Sequence, residues 1–491
     1  MESDYIITTA NDRQALDTAA WIDLYKANFT FNKPFSLPLS DGTILYCEQV
    51  VRMMPKKRMV VFGTWQHQPV AAKLFFDPRH SKRHADKDAA GIKLLKNNKV
   101  PTPDLLFEGL AKDEHIHVLI LERITNAQSL DEVWRNRQDM EEVLSDFKSV
   151  IIEIATQHVL GLLQHDLHLK NFLVNEKTVF TLDGAQIQTL NELLSKPVSM
   201  NNLALFLSQL GVNVEVYQEL LFKHYAKARG WSLKKEDYLE LFADIKRWNQ
   251  VRWKSFEKKI YRDSTDFCSK DSWRSVGMYA RAYEGPELMA FLKTPEAIFE
   301  LKTAEFLKKG NSATVIKVQM DGRDYVVKRY NIKNKWHAVR RCLRETRASQ
   351  AWRFGQKLGL FNVATAKPVA FVERNFMGFR GTSYFVSEYI SEENVGDYFA
   401  ANTNITSIMV ENVSRLLKSL AKINMTHGDL KMTNILIDSK AQPVLIDLDG
   451  AVEHHSGIGL KKAWKHERAR FLKNFDGYPD LRHQLEEALK N

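Results

Sequence analysis

Two stretches of the chain set an aspartate five positions before an asparagine. They are Asp166 with Asn171 in QHDLHLKNFLV and Asp429 with Asn434 in THGDLKMTNILI. Each is followed by an apolar run ending in a second acid, VFTLDGA after the first and VLIDLDGA after the second. A carboxylate, an amide oxygen and a further carboxylate in that order suit phosphoryl transfer. That reaction asks the protein to hold phosphates, to let a metal neutralise their charge, and to set an acceptor hydroxyl in line beside a base. Asp429 is expected to orient the hydroxyl and take its proton, with Lys431 meeting the transferred phosphate. Asn434 and Asp447 are expected to hold magnesium, which favours one or two carboxylates completed by phosphate oxygens. In the first stretch Asp166 is the expected base, Asn171 and Asp183 are the metal ligands, and His168 stands where the second has Lys431.

The repetition continues upstream. PVAAKLFF and DYVVKRY each place one lysine in a strand-like run, Lys73 and Lys328. Each lysine is expected to bind the phosphates of ATP, steadied by an acid on the following helical segment, Asp88 or Glu345. VLILERI and YFVSEYI align Glu122 with Glu388, strand ends grouped with the nucleotide site. The turn KKGNSATV precedes Lys328. Gly310 permits close backbone approach to phosphate there, and Ser312 or Thr314 supplies a donor. In the first half, MMPKKRMVVFG has no glycine before Gly63, so a phosphate-cradling loop is doubtful. Asp88 is also a shorter arm than glutamate, and its reach to Lys73 is in question. The LDGA strings pair Asp183 with Asp449, whereas distance from the asparagine pairs it with Asp447; the second register keeps a carboxylate at the metal site.

Stepping outward, the order is strands, then an amphipathic helix, then the loop. Val143, Ile151, Ile154 and Leu162 mark the first helix, and Val410, Val413, Leu417 and Leu420 the second. The expected fold class is α+β: two tandem bilobal units, each with a small antiparallel-sheet lobe and a helical lobe. The expected domains are residues 1–288, with a helical tail from about Asn191 to Tyr283, and residues 289–491. The breakers of EGPELMAFLKTPEA set that boundary.

The chain has 491 residues, 44% hydrophobic and 26% charged, with a formal net charge of +10. This is a globular balance that favours anionic partners. Cys47, Cys268 and Cys342 form no Cys-x-x-Cys pair, which fits a reducing compartment. The polar opening residues resemble no signal peptide. The most apolar helical stretch, Val150 to Leu163, is too short and too polar to span a bilayer, so a cytoplasmic protein is expected, peripheral to a membrane at most. His165 and His427 are expected to brace their loops, and His165 with His168 lacks the further ligands of a transition-metal site. The basic run from Lys328 to Arg347 reads as a solvated face or an anionic-acceptor site. KKAWKHERARFLKNF reads as a helix packed on its own lobe, or one touching an acidic membrane. No nucleic-acid-reading module is present.

The HDLHLKNFLV and HGDLKMTNILI loops, IDLDGA, and the GNSATV, YVVKRYN and RETRASQAW segments resemble the lipopolysaccharide core kinases, which act on heptose or 3-deoxy-manno-octulosonic acid (Kdo). That resemblance implies a tandem kinase-like protein using ATP and magnesium. It implies an acceptor sugar on a lipid-linked oligosaccharide at the inner face of a bacterial inner membrane, while the substitutions of the first half leave the second better equipped to catalyse. A pseudokinase scaffold in envelope biogenesis, and a kinase for protein or another small molecule, remain the alternatives.

Overall fold

The computed structural model describes residues 16–490 apart from 138, 176–177, 191, 332–344, 377–378, 391–392 and 402–406. The chain divides into two compact units, Met1–Gln209 with Val216–Trp248, and Leu210–Glu215 with Asn249–Asn491. Cys342 and most of the basic run after Lys328 lie outside the described residues.

In the first unit, β1 (Phe35–Pro38), β2 (Ile44–Met54), β3 (Arg58–Trp65), β4 (Gln68–Phe75), β5 (Leu105–Leu110) and β6 (His117–Glu122) form one antiparallel sheet. Their order is β1-β2-β3-β4-β6-β5. Successive strand residues point to opposite faces. Val70, Ala72 and Leu74 therefore enter the core with Leu45, Met59 and Val61, while Lys73 and Phe75 face the other way. On that other face Phe75 and Leu119 pack against Ala85 and Ala89 of helix α1 (Ser81–Asn97). Small alanines let the helix lie close, which brings Asp88 down onto the sheet.

The second unit repeats this layout. Strands β9 (Glu305–Lys309), β10 (Ala313–Met320), β11 (Arg323–Tyr330), β12 (Pro368–Phe376) and β13 (Phe379–Glu388) pair in the order β9-β10-β11-β13-β12. This matches β2-β3-β4-β6-β5 of the first. The registers match as well: Lys73 lies opposite Val60 and Leu119, and Lys328 opposite Val315 and Phe385. The sheet also extends through Ser275–Ala280, whose residues pair with β12. Residues 249–288 group with the second unit, and Ser275–Ala280 hydrogen-bonds into its sheet. In the expected helical tail the α-helices end at Lys259, and only a short 3-10 turn, Arg281–Tyr283, follows.

Below each sheet an amphipathic helix leads to the aspartate loop. Helix α2 (Met140–Val159) buries Val143, Phe147, Val150, Ile151 and Ile154, and Asp139 caps its first amides. It stops short of Leu162, since Gly161 turns the chain at φ +74°. Helix α3 (Ser407–Lys422) buries Val410, Val413, Leu417 and Leu420. Each fully buried aliphatic side chain contributes roughly 1.5–3 kcal/mol, so these stripes hold the loops in place. The loops close alike: Asn171 Nδ2 donates to the Asp166 carbonyl at 2.7 Å, and Asn434 Nδ2 to that of Asp429 at 2.8 Å. Backbone pairing then resolves the register of the second acid. Leu182 N–H reaches the Asn171 carbonyl as Ile446 N–H reaches that of Asn434. Asp183 thus takes the position of Asp447, not of Asp449.

Candidate active site

The second unit's loop is pinned from three sides. Gly428 has φ +80°, and a Cβ there would stand 1.9 Å from the Gly450 carbonyl oxygen, so only glycine fits this crossing. His427, fully buried, directs Nε2 at the Ile446 carbonyl, 2.9 Å away, which makes that nitrogen the donor. Its own N–H and that of Gly428 donate to the two oxygens of Glu467, at 2.9 and 2.6 Å. Glu467 belongs to helix α4 (Gly457–Leu472). From the next turn of that helix, Arg470 donates to the Gly428 carbonyl at 2.7 Å. The carboxy-terminal basic stretch is therefore a helix packed on its own unit.

Asp429 emerges from this clamp with its side chain 49% exposed, 3.0 Å from Lys431 Nζ and 3.7 Å from Arg470 Nη2. Its neighbour Asn434 spends Nδ2 on the loop carbonyl, so its amide oxygen is the atom left to meet a cation. Asp447 sits in the left-handed region at φ 63°, ψ 55°. That conformation is uncommon outside glycine and clusters at functional sites. Its carboxylate contacts Lys328 Nζ, and the same ammonium lies 2.7 Å from Asp449 Oδ2. Arg347 Nη2 completes the cluster, 2.9 Å from Asp449. Burial alone would raise the Asp447 carboxyl. The Lys328 ammonium, His427 and Arg347 together outweigh it and hold that group below its ordinary range. Beneath them burial, reinforced by both aspartates, pushes the Tyr330 hydroxyl far up.

Lys328 and Asp447, expected to share a cleft, are brought together. Glu345 is not what holds the lysine. It precedes the helix Arg347–Leu360 and faces Arg353 Nε at 3.5 Å and Ser349 Oγ at 3.2 Å, while Asp449 takes the place beside Lys328. Gly310 and Ser312 form the turn between β9 and β10. Asn331 fastens that turn from Nδ2 to the Gly310 carbonyl at 3.0 Å and to the Thr314 hydroxyl at 3.3 Å. Glu388 accepts from Tyr283 at 2.6 Å, and Glu122 accepts the Asp104 N–H at 3.3 Å. Each acid ends its strand three residues from the lysine's register partner.

In the first unit, Lys73 Nζ reaches Asp88 at 2.8 and 2.9 Å, so the shorter arm suffices. The helix lies close enough that a Cβ on Gly91 would fall 2.0 Å from the Gly184 carbonyl oxygen. Burial holds the Asp88 carboxyl up, against the Lys73 charge. Asp183 stands 4.0 Å from Lys73 and caps the Ala185 N–H at 3.1 Å, while Asp166 is exposed. His165 Nε2 contacts Gln188 at 2.9 Å.

The sequence offered Asp449 only as an alternative register partner of Asp183, and it gave Arg347, Glu467 and Arg470 no individual role. Asp449 stands two positions after Asp447. Glu467 and Arg470 have the i, i+3 spacing of one helix face, but nothing local says what that face meets.

A strand lysine, a loop aspartate and asparagine, and a strand-end aspartate, set on an antiparallel sheet with a helical lobe, are the parts that a kinase-like phosphotransferase uses. Residues 299–486 match the model of the lipopolysaccharide kinase (Kdo/WaaP) family. No curated protein matches the chain.

Magnesium fits the donor set. Asn434 and Asp447 supply hard oxygens, and among the described residues no group of three or more His, Cys, Asp or Glu side chains forms a dedicated metal cage. A cation here would share its shell with phosphate oxygens, as magnesium does. No described helix is long and apolar enough to cross a membrane.

Proposed function

We propose that the second unit transfers the terminal phosphoryl group of ATP to a hydroxyl of a lipopolysaccharide-core sugar, heptose or Kdo, at the cytoplasmic face of the inner membrane. The observation that carries this reading is the convergence of Lys328 and Asp447 in the unit that matches the family. Asp429 accepts the acceptor's proton as its oxygen attacks phosphorus and the bond to the bridging oxygen of ADP breaks. Lys328 holds the phosphates, and Lys431 meets the moving group. Asn434 and Asp447 would hold magnesium, which would supply charge neutralisation at the phosphates. Lys431 and Arg470 flank Asp429, a cationic setting suited to an acceptor that bears phosphate or carboxylate.

The first unit is a second kinase-like domain in this reading. The shared strand order and the shared asparagine closure of the loop support it. Its glycine-free turn before Lys73 favours a nucleotide-binding, regulatory part. The test is transfer of labelled phosphate from ATP to purified core oligosaccharide, together with mass spectrometry of core from a strain lacking the protein. A missing core phosphate, and transfer abolished in Asp429→Ala, are the expected results. An unchanged core and an unaffected variant would sink the assignment.

A further inference from the structure

The first unit has no glycine in its phosphate-side turn, yet the space beside Lys73 is not left without anion-binding groups. The strand registers show what replaced them. Val60 and Val315 occupy matching positions, each opposite its strand lysine. Counting back along β3 and β10, Arg58 takes the position of Ala313, and Met54 takes that of Gly310. Where the second unit has two small residues that open the backbone, the first has a long thioether and a guanidinium. Arg52 lies opposite Val60, in the same cross-strand row as Lys73. Residues directly opposite in antiparallel strands share a face, so Arg52 and Lys73 face the same side as helix α1 and Asp88.

These side chains close on one narrow cleft of about 40 Å³, lined by Arg52, Arg58, Lys73 and Asp183 among apolar neighbours that include Met54 and Val60. Neither guanidinium is held by an ion pair among the described residues, and Arg58 Nε rests 3.3 Å from the Met54 sulfur. Three cations stand around a cleft that also contains the carboxylate corresponding to Asp447. That is more positive charge than Asp183 and the buried Asp88 need, and guanidinium forks match phosphate oxygens in geometry.

We infer that the first unit binds the polyphosphate chain of a magnesium nucleotide through Arg52 and Arg58, side-chain cations standing in for the backbone cradle that its turn lacks. The inference rests on the reading of this unit as kinase-like. It further assigns Asp183 and Asn171 the metal and Lys73 the inner phosphates.

The test uses the full chain carrying Lys328→Met and Asp447→Ala, which strip the second unit of its phosphate lysine and metal carboxylate. Calorimetric titration with a magnesium complex of a non-hydrolysable ATP analogue is expected to find one remaining site. Adding Arg52→Ala with Arg58→Ala should weaken it at least tenfold, and Arg52→Lys with Arg58→Lys should recover part of the loss. Magnesium tripolyphosphate should compete. Competition at equal affinity would mean that the arginines read phosphate chains in general, and a large preference for the analogue that a nucleoside is read as well. Unchanged affinity in the double alanine variant would overturn the role of the arginines alone. Tighter binding in that variant would do so too, because it would mean that Arg58 fills the phosphate position itself. No binding at all before the arginines are changed would overturn the nucleotide-site reading of the unit.

Discussion

Asp449 Oδ2 lies 2.7 Å from Lys328 Nζ, and its side chain is only 5% exposed. The same carboxylate receives Arg347 at 2.9 Å, so one buried anion orders two cations in the proposed nucleotide cleft. Asp449→Asn keeps the shape but removes the charge. The variant is expected to lose about 1–3 kcal/mol of stability, the usual cost of breaking a buried charged contact whose partners stay partly solvated. Its KM for ATP should rise, since Lys328 is then left to Asp447 alone. Urea unfolding and steady-state kinetics check both effects.

Asp429 separates chemistry from folding. Its side chain is half exposed and its contacts are to flexible cations, so Asp429→Asn should leave stability within about 0.5 kcal/mol. Loss of a positioned base typically costs 10²–10⁴-fold, and a fall in kcat of at least roughly a hundredfold is expected. Phosphate-transfer assays paired with thermal unfolding read the two quantities on one sample.

Glu467 touches no reacting atom but holds two loop amides. Glu467→Gln keeps one acceptor and turns a donor toward the other N–H. Stability should fall by about 1–3 kcal/mol. Because the loop carries Asp429 and not the nucleotide lysine, kcat should drop while KM for ATP changes little. A rise in KM with kcat unchanged would contradict this positioning role.

His158 gives the first unit a pH signature. Burial lowers its pKa to about 4, while its ring contacts Tyr225 Oη at 2.6 Å and Asn202 Oδ1 at 3.0 Å. The unfolded chain binds this proton near pH 6.5 and the folded chain does not. The stability is therefore complete above that value and is lost as pH falls toward 4. The linked loss is about 3 kcal/mol between those limits. Unfolding measured at pH 7 and pH 4 should show it, and His158→Gln should remove that part of the dependence.

Much of the site was legible because its signals are local. The five-residue spacing of Asp429 and Asn434 forms within one turn, and the strand lysines and helix stripes follow from periods of two and 3.6. The choice of Asp447 as partner of Asp183 needed only a comparison of distances from the asparagine, later matched by backbone pairing.

What remained hidden depends on contacts between residues far apart in the chain. Lys328 and Asp449 are 121 positions apart, and no local pattern distinguishes Asp449 from Glu345 as the lysine's partner. The helix begins after Glu345, and packing delivers the other acid. Likewise, Asp88 reaches Lys73 because Gly91 and Gly184 let two backbones meet. Ser275–Ala280 joins the second unit because β12 offers it an unpaired edge. The sequence by itself determined which groups exist and how each short element is shaped. The tertiary structure decided which charges meet, since that depends on how separately formed surfaces fit together.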